Sequence, residues 1–239
     1  MRYRYFDLIM ALFVTVLLVS NVASSAKIVD WRASVLGLPL AFDAGTLLFP
    51  VSYIFGDVLT EVYGYRRSRR VIWTGFACAA LMSATFWLVG KLPGEAMWQA
   101  NVGQDSYDAV LGGVSSGAII VASLAAYFGG EFSNSFVLAK LKLLTQGRWL
   151  WIRTIGSTLV GEGLDSVLFV SLATWLHVPG FDPAIWSSLV VTNYVFKCGV
   201  EALMTPVTYR IVKGLKQAEN EDYYDYATDF NPFKWEALP

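Results

Sequence analysis

Six apolar runs recur along the chain, each about twenty residues or longer, the length a helix needs to cross a bilayer. They fall near 6–27, 41–63, 71–90, 109–139, 154–176 and 184–212 and leave little sequence between them for a soluble core. In lipid every backbone amide and carbonyl must find its partner within the protein, so runs of this kind fold as helices. The expected fold is therefore all-α, a polytopic membrane protein with six transmembrane helices. Only 15% of residues are charged, against about 25% in a soluble globular domain, so much of the surface must face something apolar. The fourth and sixth runs exceed one crossing. They tilt, continue past the membrane surface, or break, with Gly129-Gly130 the weak point of the fourth.

Basic residues set the orientation. Arg2 and Arg4, Arg66 to Arg70, Lys140, Lys142 and Arg148, then Arg210, Lys213 and Lys216 fall at one set of run ends, whereas the other set carries only Lys27, Arg32 and Lys91. With six spans the first set lies wholly on one side, which makes both termini cytoplasmic and puts the loops 91–108 and 177–183 outside. The N-terminal run also resembles a signal peptide ending at Ala23-Ser24-Ser25-Ala26, but its apolar length and the five runs that follow favour a retained first helix. We expect two parts: a six-helix transmembrane domain over 1–216 and an acidic cytoplasmic tail over 217–239, the latter flexible because it lacks helical periodicity.

Several function classes are excluded. The basic residues form no stripe on a solvated face, so nucleic acid is not a partner. Cys78 and Cys198 lack metal or redox spacing, and the single histidine, His177, has no companions with which to build a metal site. No phosphate-binding loop is present. We expect no catalytic residues, no metal and no cofactor.

What remains is charge inside the membrane. Asp43, Asp57, Glu61, Glu131, Glu162, Asp165 and Glu201 lie inside or at the rim of the runs, with Lys197 the base well inside one. Each such charge costs roughly 2.5–3.5 kcal/mol near the bilayer centre, so these groups must face a bundle interior or a water-filled cavity. Spacing supports a shared face: Asp57 and Glu61 are four apart, as are Lys197 and Glu201, whose charges can pair. Glu162 and Asp165 are three apart beside Gly161 and Gly163, where missing side chains allow close approach. Asn134 follows Glu131 by three and Asn193 precedes Lys197 by four. The candidate substrate-binding set is Asp57, Glu61, Glu131, Asn134, Glu162, Asp165, Asn193, Lys197 and Glu201. Plainer readings stand beside it. Lys197 and Glu201 can be a structural ion pair, Asp57 and Glu61 can be interfacial acids serving Arg66 to Arg70, and Asp43 can cap a helix. Phe49, Tyr53, Phe132, Tyr194 and Phe196 can form an interfacial belt. Read together, carboxylates, amides and rings suit a flat solute rich in N–H donors, so a purine-like base or a small organic cation fits and an anionic metabolite fits poorly.

The run from Phe42-Asp43-Ala44-Gly45-Thr46 to Phe49-Pro50, continued by Gly56-Asp57-Val58-Leu59-Thr60-Glu61-Val62-Tyr63-Gly64, resembles the signature of the vitamin-uptake-type queuosine precursor transporters, once grouped as a domain of unknown function. Gly161-Glu162-Gly163-Leu164-Asp165-Ser166 and Lys197-Cys198-Gly199-Val200-Glu201 with Pro206 are similar to later blocks. The resemblance implies a carrier in the cell's inner or plasma membrane. It would import the cyano- and aminomethyl-bearing deazaguanine precursors of queuosine for tRNA modification. It also implies a fold related to the substrate-binding subunits of energy-coupling-factor importers. The alternative is therefore such a subunit serving another small vitamin-like solute, with a homo-oligomer or an energy-coupling partner both open. An intramembrane protease and a cation channel are weaker rivals.

Overall fold

A computed structural model describes residues 3–35, 38–178 and 181–234. Arg2 and Pro179, and the side chains of Arg32, Asp43 and Phe49, lie outside what is described. The chain begins with α1 (Phe6–Ala26), then a hairpin of β1 (Ile28–Val35) and β2 (Leu38–Asp43), paired antiparallel from Ile28 against Asp43 to Val35 against Leu38. A short 3-10 turn leads into α2 (Phe49–Val58), which passes into a π-helical turn (Leu59–Tyr63). After it come α3 (Tyr65–Lys91), α4 (Ala96–Asn101), α5 (Gly103–Ser115), α6 (Gly117–Leu144), α7 (Leu150–Trp175) and α8 (Trp186–Glu219).

The helical fold class holds, although the connection between the first two helices includes a β-hairpin. Two expectations need correction. The run expected to span from 41 begins its helix at Phe49, with residues 41–43 completing β2. Hydropathy cannot tell a short apolar strand from a helix, and here the strand took the residues. The fourth run is interrupted at Ser116, between α5 and α6, and not at Gly129-Gly130, where α6 is continuous. Those glycines serve packing instead. A methyl group on Gly130 would stand 2.9 Å from the Cβ of Asp165, and one on Gly161 would stand 2.7 Å from the Cβ of Asn134. The two bare positions let α6 and α7 touch backbone to backbone.

Four stretches among the described residues are long and apolar enough to cross a membrane: α1, α3, α5 with α6, and α7. The protein is a multi-pass membrane protein. Its burial pattern is inverted relative to a soluble domain. Leu8, Leu12, Leu81, Leu164, Val195 and Leu203 point outward, while Asp57, Glu61, Asn134, Glu162 and Glu201 are buried. α2 with its π-turn is only about 22 Å long at 1.5 Å per residue, shorter than a bilayer's hydrocarbon layer of about 30 Å. α8 is long, at 34 residues, but carries Lys197, Glu201 and Pro206. These two helices supply interior charge: Asp57, with Glu61 on the adjoining turn, and Lys197 with Glu201.

The tail also departs from expectation. It is not a loose appendage over its described length, since it folds back on the basic end of the bundle. Gly64, at φ 85°, ends the π-turn in a conformation that side chains disfavour and exposes the first amide of α3. Asp225 accepts from that amide, Tyr65 N, at 3.0 Å and so caps α3 from across the molecule. Tyr223 N donates to Val62 O, Arg69 Nη1 to the carbonyls of Asp229 and Asn231, and Trp73 Nε1 to Pro232 O. Phe233 stacks on Phe128. The tail's acids meet a basic surface, and its aromatic rings give it apolar area worth burying. Tyr3 Oη donates to Glu221 and Tyr5 N to Glu219, so the segment before α1 meets the end of α8 and the start of the tail here.

Candidate functional site

Four helices bring the interior charges together. On α2, Asp57 is fully buried and its Oδ1 accepts from Asn134 Nδ2 of α6 at 3.0 Å. Glu131, one turn earlier on α6, lies over the bare position Gly56 of α2, where its Oε2 would be 3.4 Å from an added methyl. Asp165 and Lys197 are both within electrostatic reach of Glu131. On α7, Glu162 is buried and Asp165 partly open, and Lys197 of α8 bridges them. Its Nζ lies 3.0 Å from Glu162 Oε2 and in direct contact with Asp165. The pairing expected between Lys197 and Glu201 along α8 therefore gives way to a pairing between helices. Lys197 turns toward α7, and neither oxygen of Glu201 accepts a hydrogen bond.

This group has an open edge and a closed floor. The side chains of Lys197 and Asp165 are 19% and 18% exposed, whereas Glu162 beside them is 1% exposed. The ring of Tyr194 lies against Gly163, where an added methyl would sit 3.5 Å from its Cε2. Tyr194 thus borders α7 one residue from Glu162. Several buried polar atoms lack partners here: Asp57 Oδ2, Asn134 Oδ1, Glu162 Oε1, Thr158 Oγ1, Ser166 Oγ and both oxygens of Glu201. An unsatisfied polar group in an apolar interior costs free energy, so these are the atoms with hydrogen-bonding capacity left for a further partner.

Of the nine sequence candidates, Asp57, Glu131, Asn134, Glu162, Asp165, Lys197 and Glu201 belong to this cluster. Asn193 is exposed on α8 and lies outside it. Glu61 is buried elsewhere, at the basic end. Its two oxygens are gripped by the Arg153 guanidinium at 2.6 and 3.2 Å, and Lys216 Nζ lies 2.6 Å from Oε1. Lys142 donates to the Glu61 carbonyl at 2.6 Å, and both lysines also bind Asp222 of the tail. Sequence reading missed this network because Glu61 and Arg153 are 92 residues apart. It missed Thr158 and Ser166 too, although a signal existed: they flank Glu162 at four-residue spacing and so share its face of α7. A separate cavity between α1, α3, α5 and α6, lined by Leu17, Asn21, Ser83, Val114, Ser123 and Tyr127, holds no charged side chain. The charged cluster is the stronger candidate site, because this cavity offers a polar solute only neutral amide and hydroxyl partners.

A membrane bundle that turns leucine and valine outward and converges carboxylates, an amide and an ammonium inside has the plan of a carrier for a small polar solute. The chain belongs to the family described as "Putative vitamin uptake transporter", whose model matches residues 43–211. It is similar to the "Probable queuosine precursor transporter" of Bacillus subtilis (strain 168), 26% identical over 177 residues that cover 73% of each chain. It is also similar to the "Queuosine precursor transporter" of Escherichia coli (strain K12), 24% identical over 176 residues and 74% of each chain. The "Probable queuosine precursor transporter" of Haemophilus influenzae is 24% identical over 168 residues, 70% of this chain and 67% of the relative. No solved structure matches the chain.

Proposed function

We propose that this protein carries purine-like bases, the deazaguanine precursors of queuosine, across the cell's inner or plasma membrane into the cytoplasm. The observation that carries this reading is the convergence of Glu162, Asp165 and Lys197 beside the Tyr194 ring, in a chain whose relatives bear that transporter name. A guanine-like edge presents an N–H and an amino group that one carboxylate can accept together, while its carbonyl oxygen needs a donor such as Lys197. Its flat face suits the tyrosine ring.

The decisive measurement is tRNA queuosine in a synthesis-deficient host given a low external concentration of precursor. The wild-type gene should restore the modification. Glu162→Gln should lower apparent affinity about ten- to a hundredfold at unchanged membrane content, since a hydrogen bond to a charged group contributes roughly 1.5–3 kcal/mol. Wild-type uptake by this variant would assign Glu162 a structural role.

The basic end, carrying both termini and the docked tail, faces the cytoplasm in this reading, and six membrane passes result when α2 and α8 are counted with the four apolar stretches. A cysteine at Gln99 should react with an impermeant reagent from outside intact cells, and one at Arg70 should not. The reverse pattern would invert the orientation.

A further inference from the structure

Among the described residues, Asp57, Glu131, Glu162, Asp165 and Glu201 share the cluster with one ammonium, that of Lys197, which touches Glu162 and Asp165. Lys197 is already committed to Glu162 and Asp165. Asp57 and Glu201 are the most isolated from positive charge. Asp57 is fully buried, with one oxygen held by a neutral amide and the other unpartnered. Glu201 is 2% exposed, with both oxygens unpartnered. Their helices pack together, and each acid lies within electrostatic reach of the other. The neighbouring elements offer no further compensation. α6 contributes Glu131 and α7 contributes Glu162 and Asp165, all acids. α8 adds Lys197 and the thiol Cys198, while Glu61 of the π-turn is occupied by Arg153 and Lys216. The described part of α1 has only Asp7, which is exposed in its first turn.

Two carboxylates buried on packed helices of a membrane bundle, with no cation bonded to their oxygens, are costly to keep ionised together, and the free energy falls when one takes up a proton. We propose that Asp57 and Glu201 form a proton-binding site, and that base movement through the neighbouring Glu162–Asp165–Lys197 group is coupled to proton movement through this pair. The pair takes a proton when open to the outside and releases it as a hydrated proton when open to the cytoplasm. No other bond is made or broken. The coupling half of the inference rests on the transport reading above, whereas the proton site itself does not.

Infrared spectroscopy of the purified protein tests the site without any substrate. At neutral pH the wild type should show the carbonyl stretch of a protonated carboxyl group, shifted by deuterium exchange and weakened or lost in Glu201→Gln. Asp57→Asn provides a second route to the same result if the first variant folds poorly. A wild-type protein with no protonated carboxyl at neutral pH overturns the proposal. Liposomes then test coupling. An inward proton gradient should raise initial uptake of a tracer deazaguanine base at least severalfold over uptake at equal pH, and a protonophore should abolish the difference. In Glu201→Gln the ratio with and without the gradient should approach one. Counterflow of labelled base that is intact in the wild type but indifferent to the gradient would overturn coupling and leave base transport standing. Absence of any counterflow would instead remove the base-transport reading, and the infrared result would still decide the proton site.

Discussion

Glu61 and Glu201 are both carboxylates buried in the same bundle, yet their surroundings are opposite. Glu61, on the π-turn, receives a two-pronged guanidinium from Arg153 and the ammonium of Lys216, with Lys142 on its carbonyl. The side chain of Glu201, midway along α8, receives no hydrogen bond, and its backbone carbonyl accepts one from Thr205 Oγ1. The first arrangement fixes the ends of α2, α6, α7 and α8 to one another and to the tail, and the second leaves a group ready for a new partner. The contrast separates charge used as a fastener from charge held available. It also locates the two jobs at different depths: the fastener lies at the basic end and the available groups lie in the interior.

The same substitution at both positions is the sharpest way to break that comparison. Glu61→Gln leaves the Arg153 guanidinium, 1% exposed, without its counter-charge, and removing one member of a buried pair costs about 3–5 kcal/mol. Folded protein extracted in detergent should fall steeply. Glu201→Gln removes a charge that nothing compensates, so its thermal stability should stay within about 1 kcal/mol of wild type or rise. Equal losses at the two positions would show that Glu201 has a structural partner and would dissolve the distinction.

A smaller effect is expected at Asp222. Burial alone would raise its pKa, but hydrogen bonds and attraction from Lys142 and Lys216 hold it below the usual carboxylate value. A depressed carboxylate stabilises the docked tail above the ordinary value and loses that contribution as pH falls through the shifted one. The tail should therefore resist limited proteolysis equally from pH 5 to 8 and become more susceptible only below about pH 4. Because the Asp222 side chain is 43% exposed, solvent screens much of the attraction. Asp222→Asn should raise cleavage within residues 220–234 only a fewfold at neutral pH, with the bundle intact. Cleavage that rises between pH 5 and 8 would place the sensitive group elsewhere.

Sequence spacing read one side of each pairing and missed the other. The four-residue intervals Asp57–Glu61 and Lys197–Glu201 were legible as shared helix faces, but each pair is divided by its neighbours. Asp57 goes to Asn134 while Glu61 goes to Arg153, and Lys197 crosses to α7 while Glu201 does not. A helix face extends over several turns, and which turn meets which partner depends on how the next helix is inclined and how closely it approaches. Gly130 and Gly161 control that approach between α6 and α7, a role their sequence context only hinted at.

By itself the sequence determined that the chain lives in a membrane, because apolar runs of bilayer length have nowhere else to go. It also determined that the interior is acidic, because charges in such runs must turn away from lipid. Only the tertiary structure decided which carboxylates are neutralised and which are left waiting, that residues 28–35 and 38–43 pair as strands, and that the acidic tail docks. The physical reason is one of range. Hydropathy and helical period act within about twenty residues, whereas electrostatic compensation is set by groups brought together from distant parts of the chain, such as the 92 residues that separate Glu61 from Arg153.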